Sequence, residues 1–208
     1  MLGRDSQVAH AAEFNLSELS IIERCKKGDE RAFGQFIDLY QARVFGFVKR
    51  MVTSAEEAED ISQEVFIRAF QNMNRFDSKC SIKTWIFRIA HNLCIDHARK
   101  SKRSVQKVGP TFNGEDSDEI EISDESWEPE KLLIQSQLFE YVEEAISSMS
   151  EKLRAVLLLH DREDLAYDEI ATMLGIPEGT VKSRLFLARN HLKLKLAPFI
   201  GYEEGSAS

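Results

Sequence analysis

Residues 106–130 constrain the architecture of this chain more than any other stretch. They carry nine carboxylates against Lys107 alone, interspersed with Gly, Pro and Ser, and show neither a helical nor an alternating apolar period. A segment of this kind buries too little apolar surface to fold on itself and reads as an acidic linker, with Trp127 the larger of its two aromatic side chains, Phe112 being the other. It splits the 208 residues into two stretches, each long enough for one small core. It also distorts the charge balance. The linker's −8 equals the net charge of the whole chain, whereas residues 17–105 hold sixteen basic against twelve acidic side chains. An acidic average therefore does not exclude a nucleic-acid partner for the first half.

Both halves read as helical, and no convincing strand pattern occurs. Asp29 is placed to cap a helix whose apolar residues Ala32, Phe33, Phe36, Ile37, Tyr40, Val44, Phe47, Val48 and Met51 follow the helical period, with Gly28 breaking what precedes it. Ser54-Ala55-Glu56-Glu57 has the form of a capping box and opens a helix to about Met73. A loop over 75–81 follows, then a long helix from Ile82 to about Arg103. With a further helix over 18–27, the first half makes a four-helix bundle. In the second half, helices are expected at about 129–148, 151–162, 167–174 and 177–196. The fold class is all-α: an N-terminal helical bundle joined by a flexible acidic linker to a C-terminal helix-turn-helix domain.

Tyr167 to Lys193 carries the strongest local pattern. A short helix with small Ala171, a turn at Gly175, and a second helix led by Pro177 and anchored by Val181 form a helix-turn-helix, although an ordinary helical hairpin shares much of that pattern. At 100° per residue, Val181, Leu185, Ala188 and Leu192 share one stripe. Lys182, Ser183, Phe186, Leu187, Asn190 and Lys193 face away, with Arg184 and Arg189 on the flanks. The outward set suits phosphates and base edges. In the first half, Ile61, Val65 and Ala69 form an inward stripe, while Asp60, Gln63, Glu64 and Ile67 gather on the opposite face, where an apolar Ile among polar residues favours a protein contact.

His91, Cys94 and His97 have the look of a ligand row. On one helix, however, the two histidines are about 9 Å apart along the axis and about 120° apart around it, so the three cannot converge on a tetrahedral ion. The same helix has an expected buried stripe of Trp85, Ile86, Ile89 and Leu93, leaving His97 at its border, His91 turned outward, and Arg88, Asn92, Arg99, Lys100, Lys102 and Arg103 available to a polyanion. Cys25, Cys80 and Cys94 include no Cys-x-x-Cys pair, and neither a Gly-rich phosphate loop nor a nucleophile motif is present. Neither cofactor, metal nor catalysis is expected. No apolar run reaches the roughly 20 residues of a membrane helix, and the first residues lack the apolar core of a signal peptide, which favours the cytoplasm.

Taken in order, Asp60-x-x-Gln63-Glu64-x-Phe66-x-Arg68-x-Phe70, Thr84-Trp85-Ile86-Phe87-Arg88-Ile89-Ala90-x-Asn92 and Gly179-Thr180-Val181-Lys182-Ser183-Arg184-Leu185 resemble the extracytoplasmic-function sigma factors of bacteria, over about residues 17–197. The resemblance implies a promoter-specificity subunit that joins core RNA polymerase and directs it to a specific set of genes, in response to stress or an envelope signal. It assigns Asp60, Gln63, Glu64 and Ile67 to the clamp coiled coil of the polymerase, with the flap as a further polymerase contact. Capture of a flipped −10 base falls to Phe76, Asp77, Ser78, Lys79, Cys80, Ser81 and Ile82, and contact with the strand to Arg88, Asn92, Arg99, Lys100 and Arg103. Reading of the −35 element falls to Thr180, Lys182, Ser183, Arg184, Phe186 and Arg189. Leu187 departs from the pattern, since many relatives carry Arg there. An anti-sigma factor is the implied regulator. The implied organisation is a tail over 1–16, sigma domain 2 over 17–104, the linker over 105–129, sigma domain 4 over 130–198 and a tail over 199–208. The competing reading is a stand-alone helix-turn-helix regulator, which would bind duplex DNA without polymerase.

Overall fold

The computed structural model describes residues 18–105 and 129–200, with side chains over 18–101 and 137–198. The linker core and both terminal tails lie outside the described residues. Helix α1 covers residues 18–26. It is followed by α2 (Glu30–Met51), α3 (Ala55–Asn72), a 3-10 turn (Met73–Arg75) and α4 (Ile82–Val105). Gly28 takes a φ of +82°, a left-handed conformation that costs other residues more, and so turns the chain out of α1. Asp29 then caps α2, its Oδ1 accepting from the N–H of Arg31 at 3.0 Å and of Ala32 at 3.1 Å. Those bonds, with the Arg24 guanidinium at 2.8 Å, hold its carboxyl below the usual carboxylate range. Ser54 caps α3 through the Glu57 N–H. The expected apolar stripe of α2 is the buried one, and its aromatic side chains tie the unit together: Phe36 meets Tyr40 and Phe66, and Phe47 meets Phe87 edge-on at 5.4 Å.

The second unit is α5 (Pro129–Ser147), α6 (Glu151–Leu157) with a π-helical turn (Leu158–Arg162), α7 (Tyr167–Leu174) and α8 (Glu178–Ile200). Gly175, at φ +64°, ends α7 and turns the chain toward α8. Val181, Leu185 and Ala188 of the stripe read from sequence are buried against the rest of the unit, and Leu192 is half-buried at its end. The π-helical turn is a local departure from the expected helix. Just after this wider turn Glu163 lies inside the molecule, 1% exposed, while Asp161 stays at the surface beside α8.

The two units pack against each other. Helix α2 lies against α5 and α6, α4 lies against α7, and the buried apolar residues from Ile22 to Ala188 form one cluster. Two α4 expectations change as a result. Because α4 packs against α2, α3 and α7, its buried arc is wide and centres on Ile86, Phe87, Ala90, Leu93 and Cys94, leaving Trp85 and Ile89 half-buried at its edge. His91 is half-buried rather than turned outward, near Glu151 of α6. Desolvation pushes its imidazole below the ordinary pKa, against a smaller opposing effect of Asn92 and Glu151. Cys94 is buried, and burial pushes its thiol up to about 12, so it packs as a small apolar side chain.

Candidate nucleic-acid interface

Three surfaces stand out. The first lies on α3, where burial of Ala58, Ile61, Val65 and Ala69 leaves Asp60, Gln63, Glu64 and Ile67 outside. Ile67 is 50% exposed, and Phe70 beside it is equally open while its ring edge packs on Phe33 at 4.9 Å. Glu64 is held by Arg68 at 2.7 Å, one helical turn along. An apolar pair this exposed, rimmed by acids, has a composition that is common at protein-contact surfaces.

The second surface is a cavity of about 310 Å³ between α3, the 3-10 turn and α4, lined by Arg68, Asn72, Arg75, Trp85, Ile89 and Asn92. Two guanidinium groups, two amides and an indole are the groups that receive a phosphate, a base edge and a base face. Of the expected −10 contacts only Asn92 lines this cavity. The other five lie outside the set read from sequence. Arg68, Asn72 and Arg75 recur at intervals of four and three, and Trp85, Ile89 and Asn92 do the same, a spacing that places each trio on one face.

The loop after the 3-10 turn is shaped from within. Phe76 and Ile82 are buried, with Phe76 packed on Trp85 at 5.4 Å and the Lys26 ammonium over its ring. Asp77, Ser78, Lys79 and Ser81 are exposed and Cys80 is half-buried. Asp77 accepts from both the ammonium and the backbone N–H of Lys79, which holds its carboxyl below the usual range, while Ser78 takes a φ of +60°. Arg88 is half-buried, and its Nε finds no acceptor among the described residues. Arg99 and Lys100 are exposed further along α4. Arg103 is on the same helix, but its side chain lies outside the described residues.

The third surface is the outer side of α8. Lys182, Ser183, Phe186 and Arg189 are exposed, Thr180 and Arg184 half-buried. Phe186 is 72% exposed and Leu187 53%, an apolar pair that a buried-helix role would not leave open. Lys182 pairs with Glu178 at 2.7 Å, lying over the Tyr167 ring. Arg189 makes a two-pronged pair with Asp161, its Nε donating at 3.0 Å and its Nη2 completing the fork. Asp161 was not legible as a partner because it comes from the π-helical turn, 28 residues away.

Comparison with known proteins fits this layout. Residues 36–104 match Sigma-70 region 2 and residues 139–192 match Sigma-70 region 4. The chain is 35% identical to the ECF RNA polymerase sigma factor SigW of Bacillus subtilis, over 84% of this chain and 94% of that protein. It is 33% identical to the RNA polymerase sigma-H factor of Pseudomonas aeruginosa, over 86% and 94%, and 32% identical to the ECF RNA polymerase sigma-E factor of Escherichia coli K12, over 89% and 97%. In fold it is similar to the sigma factor RpoE of Bartonella quintana, solved in complex with the anti-sigma factor NepR. The TM-score is 0.66 at 24% identity, over 79% of this chain and 96% of that one. CnrH in complex with the cytosolic domain of CnrY gives a TM-score of 0.59 at 18% identity, over 86% and 96%. Two separated sigma regions in the expected order, carried by relatives aligned along nearly their full length, establish that the chain belongs to the extracytoplasmic-function sigma factors of the sigma-70 family.

Proposed function

We propose that this sigma factor docks on core RNA polymerase through the α3 face, captures the opened −10 element at the α3–α4 cavity, and reads the −35 element with α8. Asp60, Gln63, Glu64 and Ile67 meet the clamp coiled coil, joined by Phe70. The observation that carries the −10 assignment is the cavity, where Trp85 and the two arginines Arg68 and Arg75 converge next to the 76–82 loop. Taking a base out of the stack costs a few kcal/mol, which a stacking face and backbone charge offset. Asp77, Ser78, Lys79 and Ser81 rim the captured base, Phe76 and Ile82 fix the loop from inside, and Arg88, Asn92, Arg99, Lys100 and Arg103 follow the strand.

On α8, Lys182, Ser183, Phe186 and Arg189 address the −35 duplex, with Thr180 and Arg184 at its phosphates. Leu187 offers no donor there, which gives a −35 preference different from that of relatives with Arg. The unit over 17–104 serves as domain 2, that over 130–198 as domain 4, and 105–129 as the joint. The flap of the polymerase and an anti-sigma factor are the remaining partners. Among the described residues no helix is long and apolar enough to cross a membrane, and the work proposed is done in the cytoplasm. Run-off transcription with purified core polymerase tests the reading: a promoter-specific product dependent on this chain supports it, and absence of both product and core binding overturns it. Tight duplex binding without polymerase would instead favour a stand-alone regulator.

A further inference from the structure

A guanidinium can fork onto a planar acceptor along two different edges, one formed by Nε with Nη2 and the other by Nη1 with Nη2. In Arg189 the first edge is taken. Its Nε donates to Oδ2 of Asp161 at 3.0 Å and its Nη2 completes the fork on Oδ1, which leaves the Nη1–Nη2 edge outside the pair. The Arg189 side chain is 52% exposed on the outer side of α8, close to Phe186 at 72%. Of the two arginines of α8 it is the exposed one, Arg184 being half-buried, and Leu187 offers no donor. The forked donor on this face is therefore Arg189.

The backbone that carries Asp161 is fixed. After the π-helical turn, the N–H groups of Glu163 and Asp164 donate to the Leu158 and His160 carbonyls at 3.1 Å, and that of Leu165 donates to Leu159 at 3.0 Å. His160 is held at its ring as well. A carbonyl only accepts, so Nδ1–H of His160 donates to the Leu165 oxygen at 2.9 Å, while the ring lies on Tyr167 with centroids 4.6 Å apart. The carboxylate next to it thereby fixes the plane of the Arg189 guanidinium. Because both side chains are partly exposed, the pair contributes little to stability, and its two-pronged geometry acts on orientation instead. It also acts on charge. A guanidinium already matched by a carboxylate pulls weakly on phosphate, yet its outer edge keeps the spacing that pairs with O6 and N7 of guanine.

We propose that Asp161 is a specificity-determining residue for the −35 element: by occupying the Nε edge of Arg189 it presents the Nη1–Nη2 edge to the bases, so that α8 reads a guanine through O6 and N7 where an unpaired arginine would hold a phosphate. The proposal rests on the −35 reading put forward above. Asp161 is a positioning residue, since it touches no base and acts through Arg189. Its removal frees the guanidinium to turn toward the backbone. Discrimination then falls while attraction to any duplex becomes more salt-sensitive.

The test uses holoenzyme assembled from the full chain and core RNA polymerase, selecting from promoter-length duplexes randomised over both elements. The wild-type holoenzyme enriches guanine at a −35 position, and Arg189→Ala erases that preference and so identifies the position. On the selected duplex, adenine in place of this guanine lowers wild-type affinity about 5- to 150-fold, and a deazaguanine lacking N7 also lowers it. Asp161→Asn shrinks the guanine-over-adenine ratio at least about fivefold, leaves preferences at the other −35 positions unchanged, and steepens the slope of log affinity against log salt by up to about 0.9. A merely structural role would instead lower affinity for every sequence alike and leave the slope unchanged. Asp161→Glu keeps a carboxylate for the fork and restores the guanine preference. The inference is overturned by a guanine preference that survives Asp161→Asn, by a uniform loss across all sequences in that variant, or by base preferences that Arg189→Ala does not alter. Failure of the wild-type holoenzyme to enrich any −35 sequence removes the −35 reading together with this inference, whereas enrichment unchanged in Asp161→Asn removes the inference alone.

Discussion

If the α3–α4 cavity holds a flipped base, stacking and charge in it are separable. Trp85 supplies the aromatic face, and Arg68 and Arg75 supply the charge. Base stacking on an aromatic side chain is worth about 1–3 kcal/mol, so Trp85→Ala lowers affinity for the −10 strand by about 5- to 150-fold at every salt concentration. Because it removes no charge, the slope of log affinity against log salt stays at the wild-type value. Arg75→Ala does the converse: one phosphate contact fewer makes the slope shallower by about 0.7 for single-stranded DNA. Trp85→Phe keeps a π-face and retains most of the affinity.

Trp85 is half-buried and packs on Phe76 at 5.4 Å, so its truncation costs less stability than the ~3–5 kcal/mol of a fully buried aromatic. Binding is measured in the assembled holoenzyme at several salt concentrations, with a −35 duplex as the control. Trp85→Ala within twofold of wild type, with the −35 control intact, refutes the cavity assignment, as does a salt slope that shifts with Trp85 and not with Arg75.

On α8, Leu187→Arg restores a donor to a 53% exposed position, so −35 duplex affinity rises and the salt slope steepens by about 0.9. Asp161→Asn breaks a pair whose side chains are 52% and 33% exposed, so stability changes by less than about 1 kcal/mol in chemical denaturation. It also lowers −35 affinity, and a double-mutant cycle shows that loss only while Arg189 is present. Leu165→Ala empties a fully buried site and costs about 2–5 kcal/mol, read as a fall in the urea midpoint. His91 has its pKa depressed by desolvation, so the stability it contributes is fully present above the ordinary imidazole value of about 6.5 and is lost as pH falls through the folded value. The stability difference between wild type and His91→Gln therefore shifts against the wild type on acidification, and a difference independent of pH between 7.5 and 5 contradicts this.

Features of this fold that lie within one turn of helix are legible in the sequence. Asp29 and Ser54 cap where their types predict, Gly175 turns where a left-handed residue is needed, and the Val181, Leu185, Ala188 stripe follows from 100° per residue. Features that depend on two helices meeting are not. Trp85 and Ile89 fit a core stripe by period, yet the helices packed on α4 turn its buried arc toward Phe87 and leave them lining a cavity with α3 residues. His91 feels the charge of Glu151, 60 residues later, and Arg43 finds Glu163 across 120 residues. Hydropathy of either segment alone carries no trace of such pairings, because both charged partners score as surface residues.

The π-helical turn at Leu158–Arg162 gives the chain a length-sensitive joint. One residue advances an ordinary helix by 100° and 1.5 Å, and the widened turn absorbs that increment just before Asp161 and Glu163 diverge toward α8 and α2. Conservative substitutions within the turn leave the phase intact. Loss of a single codon there would bring back regular pitch, swing both carboxylates away from their arginines together, and uncouple the recognition helix from the first unit in one step. A deletion at any of these five positions of this chain should therefore be tolerated less well than a substitution there.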